Sequence, residues 1–240
     1  MSATQTADAT AAAVAEATAT PTRAPTHTPR PSPTATRTPT RTPRPTPTPT
    51  PTATPVPASA ILYSEDFEDG VADNWTTYNS TWSVDIEDGN HFWRGTGPNN
   101  WPQAWLDDEL NNSIDFANLT DYAFESRIRF VKGSVFVCVR TDGGSAFYNA
   151  YISSGDDRIS FADYSDGEYN TFGDTDHSIR TNKWYTVRFE VKSDILRLYI
   201  DNKLITLAHR SSREHGGVGY YMGGGDEIHF DDIRVWSLTH

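Results

Sequence analysis

The chain has 240 residues, a formal net charge of −12 and a single cysteine. That acidity argues against a nucleic-acid partner and permits neutral glycans or cations, while the lone Cys138 excludes a disulfide within the chain. No apolar run is long enough for a membrane span or a signal-peptide core, Met1 included. The expectation is therefore no membrane insertion by this chain, and a piece of a longer protein or a misplaced start.

Residues 1–60 hold almost no large apolar side chain, and 13 of the 15 prolines fall between Pro21 and Pro57. Residues 3–20 are rich in Ala and Thr, with Val14 as their one large apolar contact, so nothing there holds a core. From Thr20 to Pro57 the pair Thr-Pro recurs. Each proline fixes its own φ and biases its predecessor to extended geometry, which predicts a stiff, hydrated polyproline-II stalk. The tail sets Arg23, Arg30, Arg37, Arg41 and Arg44 against Asp8 and Glu16, a net of +3, so the whole-chain −12 leaves −15 on residues 61–240. That second segment is long enough for one core.

Within residues 61–240 only Pro98 and Pro102 remain, which suits a continuous sheet core. Ile61, Tyr63 and Phe67 open the domain and place Asp66 and Glu68 on a shared face before a turn at Asp69-Gly70. WTTYN, WSVDIEDGN and HFWRG read as short strands, with Asp88-Gly89 as a hairpin signal. GTGPNNWPQAW reads as loop and carries Trp101 and Trp105. Tyr122, Phe124, Ile128 and Phe130 form the inner set of the next strand, with Glu125, Arg127 and Arg129 opposite. Ser134 to Arg140 is apolar on both faces, as a central strand is, and Cys138 within it reads as an inert buried thiol. AFYNAYI and RISFADY follow between turns, and SDGEYNTFGDTDHSIRTN reads as a long polar loop. KWYTVRFEVKSDILRLYIDNKLITL then alternates with period two through three strands of a meander, broken at Lys192-Ser193-Asp194 and Asp201-Asn202. GGVGYY and EIHFDDIRVW close the chain. About a dozen short strands without a helical period predict an all-β sandwich of two antiparallel sheets.

The runs WYTVRFEVKSDILRLYIDNKLI and GGVGYYMGGGDEIHFDDIRVW resemble the C-terminal half of concanavalin A-like jelly-roll domains of the laminin-G-like type, which include the bacterial 3-keto-disaccharide hydrolase family. The opening FEDG with Trp75, paired with a terminal DDI, is similar to jelly-roll carbohydrate-binding modules. The resemblance covers roughly residues 61–236 and implies the fold more sharply than the function. Thr-Pro stalks joined to such modules resemble those of secreted or surface-anchored bacterial proteins, which implies an extracellular or cell-surface location.

Two candidate sites follow. In the last strand Ile228 and Phe230 share one parity and Ile233 and Val235 the other, so either a bulge sits at Asp231-Asp232 or an aspartate points inward. A buried carboxylate needs a partner, and a hard cation would serve Asp66, Glu68, Asp231 and Asp232 together if the first and last strands are neighbours. The resemblance implies the same structural calcium. The second site is a polar and aromatic face. Parity puts Arg127, Arg129, Arg188, Arg197 and Tyr199 outward, with Arg140, Asn149 and Tyr151 joining them and Trp93, Trp101 and Trp105 as platforms. Saccharides need that mixture, because their C–H faces stack on rings while hydroxyls take bonds from Arg and Asn. The four N-x-S/T sites at Asn74, Asn79, Asn111 and Asn118 matter only in a eukaryotic secretory route.

Catalytic signatures are sparse. The E-x-D-x-x-E arrangement of jelly-roll glucanases is missing, as are H-E-x-x-H, G-x-S-x-G and Walker motifs, and Asp174-Thr175-Asp176-His177 reads as a solvated turn. The expectation is a non-catalytic extracellular module that binds a polysaccharide or glycan, carries a structural calcium and belongs to a larger secreted or surface protein. The alternatives are a glycoside or 3-keto-glycoside hydrolase, and a structural or sensory head domain.

Overall fold

A computed structural model describes residues 57, 60–79, 81–97, 101–107, 109–110 and 114–238. The expected stalk and the Asn111 sequon lie outside the described residues. Strands in chain order are β1 (Ile61–Glu65), β2 (Trp75–Tyr78), β3 (Thr81–Glu87), β4 (Asn90–Thr96), β5 (Gln103–Leu106), β6 (Glu109–Leu110), β7 (Ile114–Asp115), β8 (Tyr122–Lys132) and β9 (Ser134–Thr141). They continue as β10 (Phe147–Ser153), β11 (Arg158–Ser165), β12 (Glu168–Asp176), β13 (Trp184–Lys192), β14 (Ile195–Ile200), β15 (Lys203–His209), β16 (Gly217–Met222) and β17 (Glu227–Ser237).

Two large antiparallel sheets result, with β6 and β7 as a separate small antiparallel pair. One runs β15-β14-β13-β8-β17-β4-β3, with β1 also paired to β17; the other runs β12-β11-β10-β9-β16-β5-β2. The meander is present as β13-β14-β15, and its turns fall where expected, with Ser193, Asp201 and Asn202 at positive φ. Asp88 and Gly89 likewise take φ of 53° and 84° in the β3–β4 hairpin, the left-handed pair that a two-residue turn needs. β9 occupies the middle of the seven-stranded sheet, and Cys138 in it is fully buried, which pushes its thiol pKa up.

Two elements differ from the reading of the sequence. β12 is a strand where a loop was expected; it forms the sheet edge, is exposed along most of its length and so shows no apolar alternation. β5 lies inside the stretch read as loop, because its Ala104 and Leu106 face the core in a run too short to display a period.

Inward side chains from both sheets fill the space between them. Phe161 of β11 stacks on Phe189 of β13 at 5.2 Å, and Tyr220 of β16 lies 4.2 Å from Phe230 of β17. The Tyr220 hydroxyl donates to Ser126 Oγ on the facing sheet at 2.8 Å, so this deeply buried polar atom is paired. At one flank Trp75, Trp82, Trp93 and Phe67 pack together, Trp93 meeting Trp82 at 4.3 Å.

Candidate binding face

The outer face of the seven-stranded sheet is organised in three rows by strand register. The first row reads Gln103, Tyr221, Phe136, Tyr151 and Ser160 across β5, β16, β9, β10 and β11. The second reads Trp105, Gly219, Cys138, Asn149, Ala162 and Thr171. The third holds Phe147, Tyr164 and Tyr169. Aromatic rings thus form two banks, and the small side chains of Gly219, Cys138, Asn149 and Ala162 form a trough between them.

Two rings enter the trough. Trp105 lies flat over Gly219, where a Cβ would stand 2.2 Å from its ring, and fills that end so fully that it is 4% exposed. Tyr169, on the edge strand, touches Tyr164 at 4.6 Å and also reaches Phe136, three strands away, at 5.7 Å. Its ring therefore crosses the trough over the row that contains Asn149. Trp101 extends the first bank, 5.6 Å from Tyr221, and is half exposed, as Tyr169 is at 40%. Burial raises the pKa of Tyr151, Tyr169 and Tyr221, so these phenols stay neutral donors at physiological pH. The Tyr151 hydroxyl donates to Asp156 at 2.7 Å, in the β10–β11 turn. The three rows themselves carry no Asp, Glu, Lys or Arg.

Of the residues expected to contact ligand, Trp101, Trp105, Asn149 and Tyr151 do come together here. Three others do not. Trp93 is 2% exposed in the core, because its register opposite Phe230 turns it inward. Arg140 takes φ of 48°, which breaks the alternation of β9. Its guanidinium instead donates to the carbonyls of Arg213, Thr120 and Ser193 at 2.7–2.9 Å, clamping three loops at one end of the sandwich. Arg127 is outward as expected, but on the opposite sheet. Phe136, Tyr164, Tyr169 and Tyr221 were missed as platform residues: SVFVCVR is apolar on both faces and does not mark Phe136 as outward, whereas the alternation in RISFADY does mark Tyr164.

That opposite face is ionic. Arg129 donates from Nη2 to His229 Nδ1 at 2.9 Å and pairs with Glu87, while Arg94 pairs with Glu227 at 2.9 Å. Since arginine only donates, His229 Nδ1 accepts and its Nε2–H donates to Glu227 Oε1 at 3.0 Å. Burial, followed by the neighbouring arginines, lowers the His229 pKa against the pull of Glu227.

The expected metal ligands separate, with only Asp66 and Asp232 left together. A bulge is present at Asp231-Asp232, with Asp232 at φ 47°, at the point where β17 changes partner from β4 to β1. Asp231 is buried, yet its carboxylate accepts from Arg127 Nη1 and Asn90 Nδ2, each at 3.1 Å, and from the Asp232 N–H at 2.8 Å. Glu68 is held by His91 at 3.1 Å. Asp66 and Asp232 do line one cleft of about 570 Å³ with Glu65, Asp69 and Asp73, but both Glu65 oxygens accept turn N–H groups, from Phe67 and Asp73. Among the described residues no three acidic, histidine or cysteine side chains converge on one ion. The four residues thus do not converge as one set: the carboxylate expected to need a cation has an arginine from the adjacent strand, while Asp66 and Asp232 share the acidic cleft.

No protein-family model matches the chain. Over 172 residues it is 25% identical to a levanase of Bacillus subtilis (strain 168), covering 69% of this chain and 21% of that protein, so the chain spans about a fifth of the levanase. Among solved structures, a carbohydrate binding module, CBM66, from Bacillus subtilis superposes with a TM-score of 0.57 at 22% identity, over 68% of this chain and 96% of that one. The Emp47p carbohydrate recognition domain gives 0.57 at 15% identity, over 76% and 99%. A Bacillus licheniformis beta-glucanase gives 0.52 at 14%, over 75% and 100%. The chain has the concanavalin A-like jelly-roll fold that these proteins share.

Proposed function

We propose that this domain is a carbohydrate-binding module that holds a saccharide on the outer face of the seven-stranded sheet and does not cleave it. The trough between two aromatic banks carries this reading: rings for the C–H faces of sugars, neutral phenol and amide groups for their hydroxyls, and no ionic side chain within the rows. The module and recognition-domain names of its structural neighbours, and the levanase of its sequence relative, support the same choice. A Thr-Pro stretch before the domain suits a spacer that keeps it away from a larger extracellular or surface-attached protein.

The beta-glucanase neighbour raises the hydrolase reading, for which the acidic cleft beside β1 is the place to look. Burial raises the pKa of Glu65 there, as a general acid requires, but its two oxygens are occupied in holding the turn that follows β1. The test is affinity electrophoresis in gels containing levan, laminarin, xylan, galactomannan or polygalacturonate, with reducing-sugar release assayed in parallel. Retardation without sugar release supports the proposal. Sugar release favours the hydrolase, and no retardation in any gel leaves a structural or sensory head.

A further inference from the structure

Asn149 stands out on this face because it is fully buried and neither its Oδ1 nor its Nδ2 has a hydrogen-bond partner among the described residues. Its cross-strand neighbours are Cys138 and Ala162, and the adjoining Trp105, Cys138 and Phe147 form a small apolar cluster. A leucine would suit those surroundings, whereas an amide there carries its desolvation cost without compensation. Such a group has a reason to exist if another molecule supplies the missing bonds.

We propose that Asn149 is the specificity-determining residue of the trough, binding a pair of adjacent hydroxyls of an uncharged saccharide once the Tyr169 ring swings aside. This deepens the saccharide-site reading of the face and rests on it. A primary amide offers an acceptor and a donor side by side, so one hydroxyl donates to Oδ1 while its neighbour accepts from Nδ2. Neither a carboxylate nor a sulfate can make the first of those bonds, and the rows supply no cation to neutralise one. Tyr169 can serve as the moving part: it sits on the edge strand, is 40% exposed, and its hydroxyl makes no hydrogen bond among the described residues. Its ring contacts Phe136 and Tyr164 on the two sides of the row.

The experiment compares full-length wild type with Asn149→Leu and with Asn149→Ala, which adds no bulk. Urea unfolding and affinity electrophoresis against the five polysaccharides named above are the readouts. The expected result is that Asn149→Leu unfolds at a higher urea midpoint than wild type, while both variants lose at least tenfold in affinity for the neutral polysaccharide that retards wild type most. A purely structural asparagine would lower the midpoint on substitution and leave retardation intact, which overturns the proposal, as does retardation by polygalacturonate alone. If Trp101→Ala weakens binding but the Asn149 variants do not, the face reading stands and the role of Asn149 falls. If nothing retards wild type, both fall.

Discussion

Replacing Arg127 by Met tests how the domain accommodates the buried carboxylate of Asp231. The Asp231 side chain is 3% exposed and that of Arg127 37%, with 3.1 Å between Nη1 and Oδ2. Breaking a fully buried pair costs about 3–5 kcal/mol, and a surface pair is worth about 0–1. This half-buried pair, with Asn90 and the Asp232 N–H left to Asp231, falls between, at about 1–2 kcal/mol. The guanidinium also lies 4.9 Å from the centre of the Trp184 ring, worth a further ~0.5–1 kcal/mol. A loss of about 2 kcal/mol at pH 7 is expected in urea unfolding. The Asp231 pKa is already raised, by burial first, and removing Arg127 raises it further. A carboxylate whose folded pKa exceeds its unfolded one penalises the fold while ionised, so the Arg127→Met deficit shrinks as the pH falls through the folded pKa of Asp231. In an Asp231→Asn background the same substitution should cost only the stacking contribution. An Arg127→Met variant as stable as wild type at pH 7, or one restored by millimolar calcium, would refute this reasoning and return the site to a metal.

Three other outcomes are expected. The His229 pKa is lowered on folding, so its contribution to stability is complete above the unfolded value of about 6.5 and is lost as the pH falls through the folded value. Melting temperature should accordingly drop on acidification below about pH 6, and His229→Gln should flatten that segment of the profile. Gly219→Ala would set a Cβ 2.2 Å from the Trp105 ring and 2.6 Å from the Ala104 carbonyl. It should cost about 1–3 kcal/mol by overpacking and shift tryptophan emission as Trp105 leaves its seat. EDTA should leave the melting temperature of wild type unchanged if Arg127 and Asn90, not a cation, balance Asp231.

Much of the fold was legible in the sequence, because alternation in β8, β13 and β14 reports burial directly. The inner set Tyr122, Phe124, Ile128, Val187, Phe189, Leu196 and Leu198 lies in the core as the period predicts. Parity assigns a residue to the inside or outside of its own strand, but it does not say which sheet that strand joins. Arg127 and Asn149 are both outward, yet they stand on opposite faces of the sandwich. Parity also fails wherever the backbone leaves the strand region: positive φ at Arg140 buried a side chain expected on the surface, and the same feature at Asp232 left room for Asp231 beside Arg127. Trp93 shows the remaining gap, since an aromatic ring suits core and platform equally and only the tertiary register decides.

The most direct test of the account is to map the polysaccharide contact on the protein, using amide chemical shifts titrated with an oligosaccharide of the best-retarding polysaccharide. Shifts are expected in β5, β9, β10, β11, β12, β16 and the segment around Trp101, with a loss of about 1–1.5 kcal/mol, near tenfold in Kd, for Trp101→Ala. Shifts centred on the ionic face of β8, β13 and β14, or on the acidic cleft beside β1, would contradict the account.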